Sequence, residues 1–188
     1  MARTKDRVQA RFVVADIRDH TSRVQQKYGK YGFEFVLLEE GKPFPFRDKE
    51  FDIVISLSVI EHVTGTSLEE STLGISDKDW VSRAKQKQRQ FADEIRRVGK
   101  AYFVQTPHKS FPIETHVWLP FANCLSHRHT VSLVCYTDKY WLKKCGYVDW
   151  NLLGTKEMRA LFPDAQIHIE RFCGLPKSVI AFTLRESA

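Results

Sequence analysis

Residues 42–63 read KPFPFRDKEFDIVISLSVIEHV, and the fold reading turns on them. Pro43 and Pro45, alternating with Phe44 and Phe46, cannot continue a helix or a central strand, so the stretch opens as a turn. Phe51 to Leu57 (FDIVISL) is short, apolar and β-branched, the composition of a parallel strand buried on both faces. Directly behind it stand Glu61 and His62. In an open parallel sheet ligands lie beyond the carboxyl ends of the strands, so the run from Ser56 to Glu61 is where one would be held. Histidine, with an unperturbed pKa of ~6.5, can accept a proton near neutrality, which makes His62 a candidate catalytic base. A hydrogen-bonded packing histidine at a helix start is the alternative.

Strands and helices alternate outward from this stretch. Arg11 to Ile17 (RFVVADI) and Phe33 to Leu38 (FEFVLL) read as strands, with a short helix from Thr21 to Lys30 between them. From Asp77 to Val98 the apolar positions Trp80, Val81, Ala84, Phe91, Ala92, Ile95 and Val98 recur at helical spacing, interrupted by Gln88. Ser76 or Asp77 can cap that helix and Gly99 ends it. Ala101 to Gln105 follows as a strand that Pro107 must terminate. Thr137 can cap a helix to Cys145 and Thr155 another to Phe162. Gln166 to Phe172 and Val179 to Leu184 close as an antiparallel hairpin, with Gly174 and Pro176 in its turn. The expected architecture is α/β, one domain over residues 1–188, with residues 107–136 as a substrate-side insertion.

Composition sets the outer bounds. The chain has 188 residues, 43% of them apolar, enough for one buried core and too few for two. No apolar run approaches the ~18 residues of a membrane span, and no secretory or transit signal opens the sequence, so the expected address is cytoplasmic. The formal charge of +6 is spread along the chain; the densest basic run, Arg83, Lys85, Lys87 and Arg89, lies on the outer face of a helix, so no nucleic-acid partner is expected. Cys124, Cys135, Cys145 and Cys173 have neither metal-binding nor disulfide-scaffold spacing and read as reduced thiols.

The proline-aromatic turn, the Phe-Asp strand and the following Glu-His resemble the middle of class I S-adenosylmethionine-dependent methyltransferases. Two further stretches resemble the same family in the same order: Phe91 to Gly99 with Tyr102 to Pro107, and Leu161 to Ala165 with the closing hairpin through Lys177. The resemblance implies a Rossmann-like, mostly parallel sheet with an antiparallel C-terminal hairpin and S-adenosylmethionine as cofactor. It implies a ribose-binding carboxylate at Asp16, an adenine contact at Glu39 or Glu40, and cofactor contacts at Ser56 and Glu61. Glu61 and His62 would line the cleft shared by cofactor and acceptor.

One element of the family pattern is missing. None of the nine glycines lies between Met1 and Tyr28, so the sequence contains no strand followed by a GxGxG loop, and the fold is expected to be N-terminally incomplete. Arg11 to Ile17 would then pair directly with Phe51 to Leu57 or leave strand edges open. On the acceptor side, residues 106–136 carry His108, Glu114, His116, His127 and His129 among aromatic residues. His108 is a second candidate base, and Glu114 and His116 are candidate substrate contacts. A zinc site from Glu114, His116, His127 and His129 matches no closed zinc spacing, so no metal is expected. The expected activity is methyl transfer to a small-molecule or glycan-like acceptor. The alternative is a truncated or non-catalytic methyltransferase-like domain that binds the cofactor weakly or not at all.

Overall fold

The computed structural model describes residues 10–17, 27–65, 75–114, 116, 118–137 and 148–183. They fall in two compact units, Met1–Pro45 and Phe46–Ala188. In the first, β1 (Phe12–Asp16) and β2 (Phe33–Leu37) form a parallel ladder in which Asp16 stands opposite Leu37. A 3-10 turn, Gly29–Tyr31, precedes β2, and Gly32 closes it at φ 69°, a left-handed geometry that glycine adopts without strain. Most of the helix expected over Thr21 to Lys30 lies outside the described residues.

The second unit is built on a four-stranded sheet in the order β3 (Phe51–Leu57), β4 (Gly99–Pro107), β8 (Leu175–Phe182), β7 (Gln166–Phe172). β3 and β4 are parallel, whereas β8 runs antiparallel to both β4 and β7. The sheet is therefore mixed rather than mostly parallel, because the returning strand of the hairpin inserts between β4 and β7. The hairpin is tighter than its proline suggested. Cys173 (φ 49°) and Gly174 (φ 79°) alone make the turn, and Pro176 already lies in β8 opposite Arg171, beside a register shift at Glu170 and Arg171.

Helix α1 (Asp77–Val98) starts where Ser76 accepts a hydrogen bond from the Asp79 amide at 3.1 Å. Its end is shaped by space rather than by left-handed backbone: Gly99 is extended (φ −96°), but a Cβ there would lie 2.8 Å from the Ala101 carbonyl and 2.9 Å from Val54. The Lys49 ammonium donates to the carbonyls of Arg96 (2.7 Å) and Gly99 (3.0 Å), placing a cation at the negative end of the helix. Arg97 ties the same end to the proline-aromatic turn through the Phe46 carbonyl and Asp48, both at 2.8 Å.

Helix α1 and the short α3 (Thr155–Leu161) pack on one face of the sheet, burying Val104 and Thr106 of β4 together with Val179 and Ala181 of β8. The other face is not buried as the apolar composition of β3 suggested: Ile53, Ile55 and Leu57 are each about half exposed. The described helices reach only the Val54–Ser56 side of that strand. Among the described residues the one strand that β1 pairs with is β2, and β3 is the terminal strand of its own sheet.

Beyond β4, Ile113–Glu114 (β5) pairs with Leu119–Pro120 (β6), and α2 covers His127–Thr137. Thr137 is thus the last residue of a helix rather than the cap of the next; the rest of the expected Thr137–Cys145 helix lies outside the described residues. Thr155 is likewise the first residue of α3, with Gly154 as the cap and its amide donating to Glu157. Among the described residues no helix is long and apolar enough to cross a membrane.

The position that broke the apolar stripe of α1 is paired on both sides of its amide. Gln88 is fully buried; its amide donates to the carbonyls of Ile60 (3.0 Å) and Asn151 (2.8 Å) and accepts from the Asn151 side chain (2.8 Å). Leucine there would keep the volume and strip all three bonds, at about 1–3 kcal/mol per buried group left unmade. Gln88→Leu should therefore destabilise the protein by roughly 2–5 kcal/mol in urea unfolding, despite the gain in hydrophobicity.

Candidate functional site

β3 ends at a sharp bend. Ser58 takes φ 51°, and its amide donates to the Gln105 carbonyl of β4 at 2.9 Å. The chain then enters a 3-10 turn, Ile60–His62, in which Ile60 and Glu61 are both fully buried. Glu61 accepts from the Thr106 hydroxyl at 2.9 Å, so its carboxylate lies at the carboxyl ends of β3 and β4, where an open sheet holds ligands. Its second oxygen, Oε1, is buried without a hydrogen-bond partner among the described residues. Burial pushes the Glu61 carboxyl above the usual carboxylate range, against the opposing pull of its own backbone amide, Thr106, His62 and His116.

Two imidazole–carboxylate pairs meet beside it. His62 directs Nδ1 at Asp149 Oδ1, 2.8 Å away. Asp149 is held in turn by the Thr64 hydroxyl on its carbonyl (2.9 Å), and the next turn of chain is tied back by the Asn151 amide on the Glu61 carbonyl (2.7 Å). His116 directs Nδ1 at Glu114 Oε1 (2.5 Å), while its own amide donates to Glu114 Oε2 (2.8 Å). The His116 ring stacks on Trp150, with centroids 4.6 Å apart, and meets His62 edge-on at 4.8 Å. One ligand-type atom from each of Glu61, His62 and His116 lies within 4.8 Å of the others.

The structure thus gathers four of the residues singled out in the sequence, Glu61, His62, Glu114 and His116, into one cluster with both carboxylates buried and both imidazoles partly exposed. Ser56 is buried at the end of β3, its hydroxyl also without a partner among the described residues. Asp16 and the Glu39–Glu40 pair belong to the first unit: all three are exposed at the carboxyl ends of β1 and β2, and Glu39 pairs with Lys42. His108 has a different setting. Its Nδ1 accepts from the Ser110 amide (3.0 Å) and its Nε2 meets the Thr155 hydroxyl (3.2 Å); burial holds its pKa below the usual histidine range, so it stays neutral and fixes the turn after β4. His127 stacks on Trp80 at 3.8 Å and His129 pairs with Ser126 at 2.8 Å, so neither joins Glu114 and His116. Asp149 and Trp150 were not anticipated, and nothing in the spacing of the VDW stretch at 148–150 marks them.

The sequence matches the family described as a methyltransferase domain over residues 1–102. Among solved structures it is similar to the PH0226 protein from Pyrococcus horikoshii OT3, at 17% identity and a TM-score of 0.55 over 96% of this chain and 76% of that one. It also aligns with a SAM-dependent methyltransferase from Aquifex aeolicus, at 13% identity and a TM-score of 0.47 over 92% of this chain and 67% of that one. At these identities the first likeness concerns the fold alone. No curated protein matches.

The Glu61 carboxyl supplies a test of the site's electrostatics. A carboxyl whose folded pKa lies above its unfolded value binds its proton more tightly when folded. Its contribution to stability is complete below the unfolded pKa and is lost as pH rises through the folded one. In the presence of a chelator, Glu61→Gln should therefore gain stability over the parent as pH rises from the ordinary carboxylate range, about 4.3, towards neutrality. Urea midpoints measured across that interval check it; a constant difference between the two proteins would mean that the Glu61 carboxyl is not perturbed.

Proposed function

Because the chain belongs to the methyltransferase-domain family, we propose that it transfers a methyl group from S-adenosylmethionine to a hydroxyl of a small-molecule or glycan-like acceptor. The observation that carries this reading is the family match over residues 1–102, which includes Asp16, Glu39, Glu40, Ser56, Glu61 and His62. S-adenosylmethionine is the cofactor to which that membership points, and when bound it supplies a methyl group activated on a sulfonium. The residues present suit its nucleoside half: Asp16, exposed at the end of β1, can accept both ribose hydroxyls, and Glu39 or Glu40, at the end of β2, can accept from the adenine amine. Ser56, at the end of β3, offers a buried hydroxyl without a hydrogen-bond partner among the described residues.

On the acceptor side the chain's residues orient and deprotonate. His62 accepts the acceptor's hydroxyl proton at Nε2, its ring held by Asp149 on Nδ1; this bond fixes both the tautomer and the direction of the lone pair. His116 and Glu114 hold the acceptor against His62 and the Trp150 face. His108, with both ring nitrogens engaged by protein groups, serves the loop after β4 rather than the proton. Alignment of acceptor and donor supplies most of the acceleration, since the displacement requires little beyond proximity. Cys124 and Cys173 form no disulfide among the described residues, which suits a reducing compartment such as the cytoplasm.

A second reading, a methyltransferase-like domain without turnover, is favoured by the lack of any glycine between Met1 and Tyr28. Titration with S-adenosylhomocysteine separates the two. Under the first reading binding by these 188 residues is saturable but weaker than micromolar, since none of their glycines lies between Met1 and Tyr28 to let backbone amides approach the cofactor. Asp16→Ala then weakens it about ten-fold or more, the cost of a hydrogen bond to a charged acceptor being about 1.5–3 kcal/mol. No saturable binding at millimolar concentrations would overturn the first reading in favour of the second.

A further inference from the structure

We propose that Glu61, His62 and His116 form a binding site for one divalent transition-metal ion of the zinc class. The three residues lie far apart in sequence only in part, since Glu61 and His62 are neighbours, but their convergence with His116 is a product of the fold. Their ligand-type atoms lie within 4.8 Å of one another. Ligands about 2.0–2.2 Å from a tetrahedral ion are about 3.3 Å apart, so a bound ion would draw together by about an ångström or more atoms that now lie up to 4.8 Å apart.

The surroundings favour an ion over a chance cluster. Each imidazole directs Nδ1 at a carboxylate, His62 at Asp149 and His116 at Glu114, which assigns coordination to Nε2 in both rings. That outer layer of carboxylates is what orients metal-binding histidines and raises their basicity. The carboxylate in the set is fully buried with Oε1 unpartnered among the described residues, and a buried charge is stable only when paired or bound to a cation. Neighbouring groups hold the elements that carry the ligands: the Asn151 amide donates to the Glu61 carbonyl, the Gln88 side chain donates to the Ile60 carbonyl, and Trp150 backs the His116 ring. Two imidazoles and one carboxylate suit zinc and its neighbours better than magnesium or calcium, and three protein ligands leave a coordination position open for water or an acceptor oxygen.

Methyl transfer plays no part in this inference, which uses residues of the second unit alone. A metal ion and a proton compete for His62 Nε2, so metal-bound and proton-accepting His62 are alternative states of one site. If the cluster were instead a neutral hydrogen-bonded knot, a protonated Glu61 would donate to an imidazole and no ion would be taken up.

The chelator-stripped full chain, titrated with Zn2+ alone by calorimetry and with Co2+ alone by visible absorption, decides between them. The expected result is one ion per chain, with d–d bands typical of four-coordination. His116→Ala and Glu61→Gln should each weaken binding at least a hundred-fold, and Asp149→Asn, which acts through His62, about 10–100-fold. Circular dichroism checks that each variant folds. X-ray absorption of the zinc-loaded parent protein, which requires no variant, should read two imidazoles, oxygen and no sulfur, with Zn–N near 2.0–2.1 Å. No saturable uptake, equal affinity in a folded His116→Ala variant, or a first shell containing cysteine sulfur would overturn the proposal.

Discussion

The amide of Gln88 joins three parts of the second unit that nothing in the chain order brings together: helix α1, the turn after β3 and the segment at Asn151. A buried amide has a donor and an acceptor side, and each must be satisfied in place or not at all. Gln88 uses both, and it therefore fixes not only the distance between the Ile60 turn and Asn151 but also their rotation relative to α1. From that constraint follows the rest of the cluster. With Ile60 and Asn151 held, Glu61 is carried under Thr106, and Asp149 and Trp150 are carried onto His62 and His116. An apolar residue at position 88 would pack as well and specify less.

The cluster itself is a balance of costs. Three carboxylates, Glu61, Glu114 and Asp149, converge on two imidazoles, and two of the three have close charge-assisted partners. Glu61 has one hydroxyl and its own backbone, which does not offset full burial. Perturbation of this kind accumulates where a fold has a ligand or a reaction to serve.

Much of the scaffold was legible because its signals are local. The β-branched run of β3, the 22-residue amphipathic helix and the hairpin strands each announce themselves within one stretch of chain. Glu61 and His62 were legible for a related reason, since the end of a strand in an α/β sheet is a place defined by the sequence around it. Asp149 was not, being 87 residues from His62 and flanked by nothing periodic. Gln88 looked like a flaw in a stripe because a helical period records polarity and not whether a polar group is paired. His108 was legible as a residue type, whereas its two hydrogen-bond partners, Ser110 and Thr155, were not. The half-exposed face of β3 has the same origin: apolar composition reports what a strand can bury, whereas burial depends on which helices arrive.

β8 is synthesised after every other strand of its sheet, yet it lies between two of them. While β7 can pair with β8 through a two-residue turn, β4 waits for a partner whose contact residues, Ala181 against Val104, emerge from the ribosome long after it. Until then β4 presents an unfilled row of amides and carbonyls, the state most apt to be captured by a holding chaperone or by another nascent chain. Closure of the sheet thus requires its last-made strand. The order of synthesis makes the β8-facing edge of β4 wait for the last strand of its sheet.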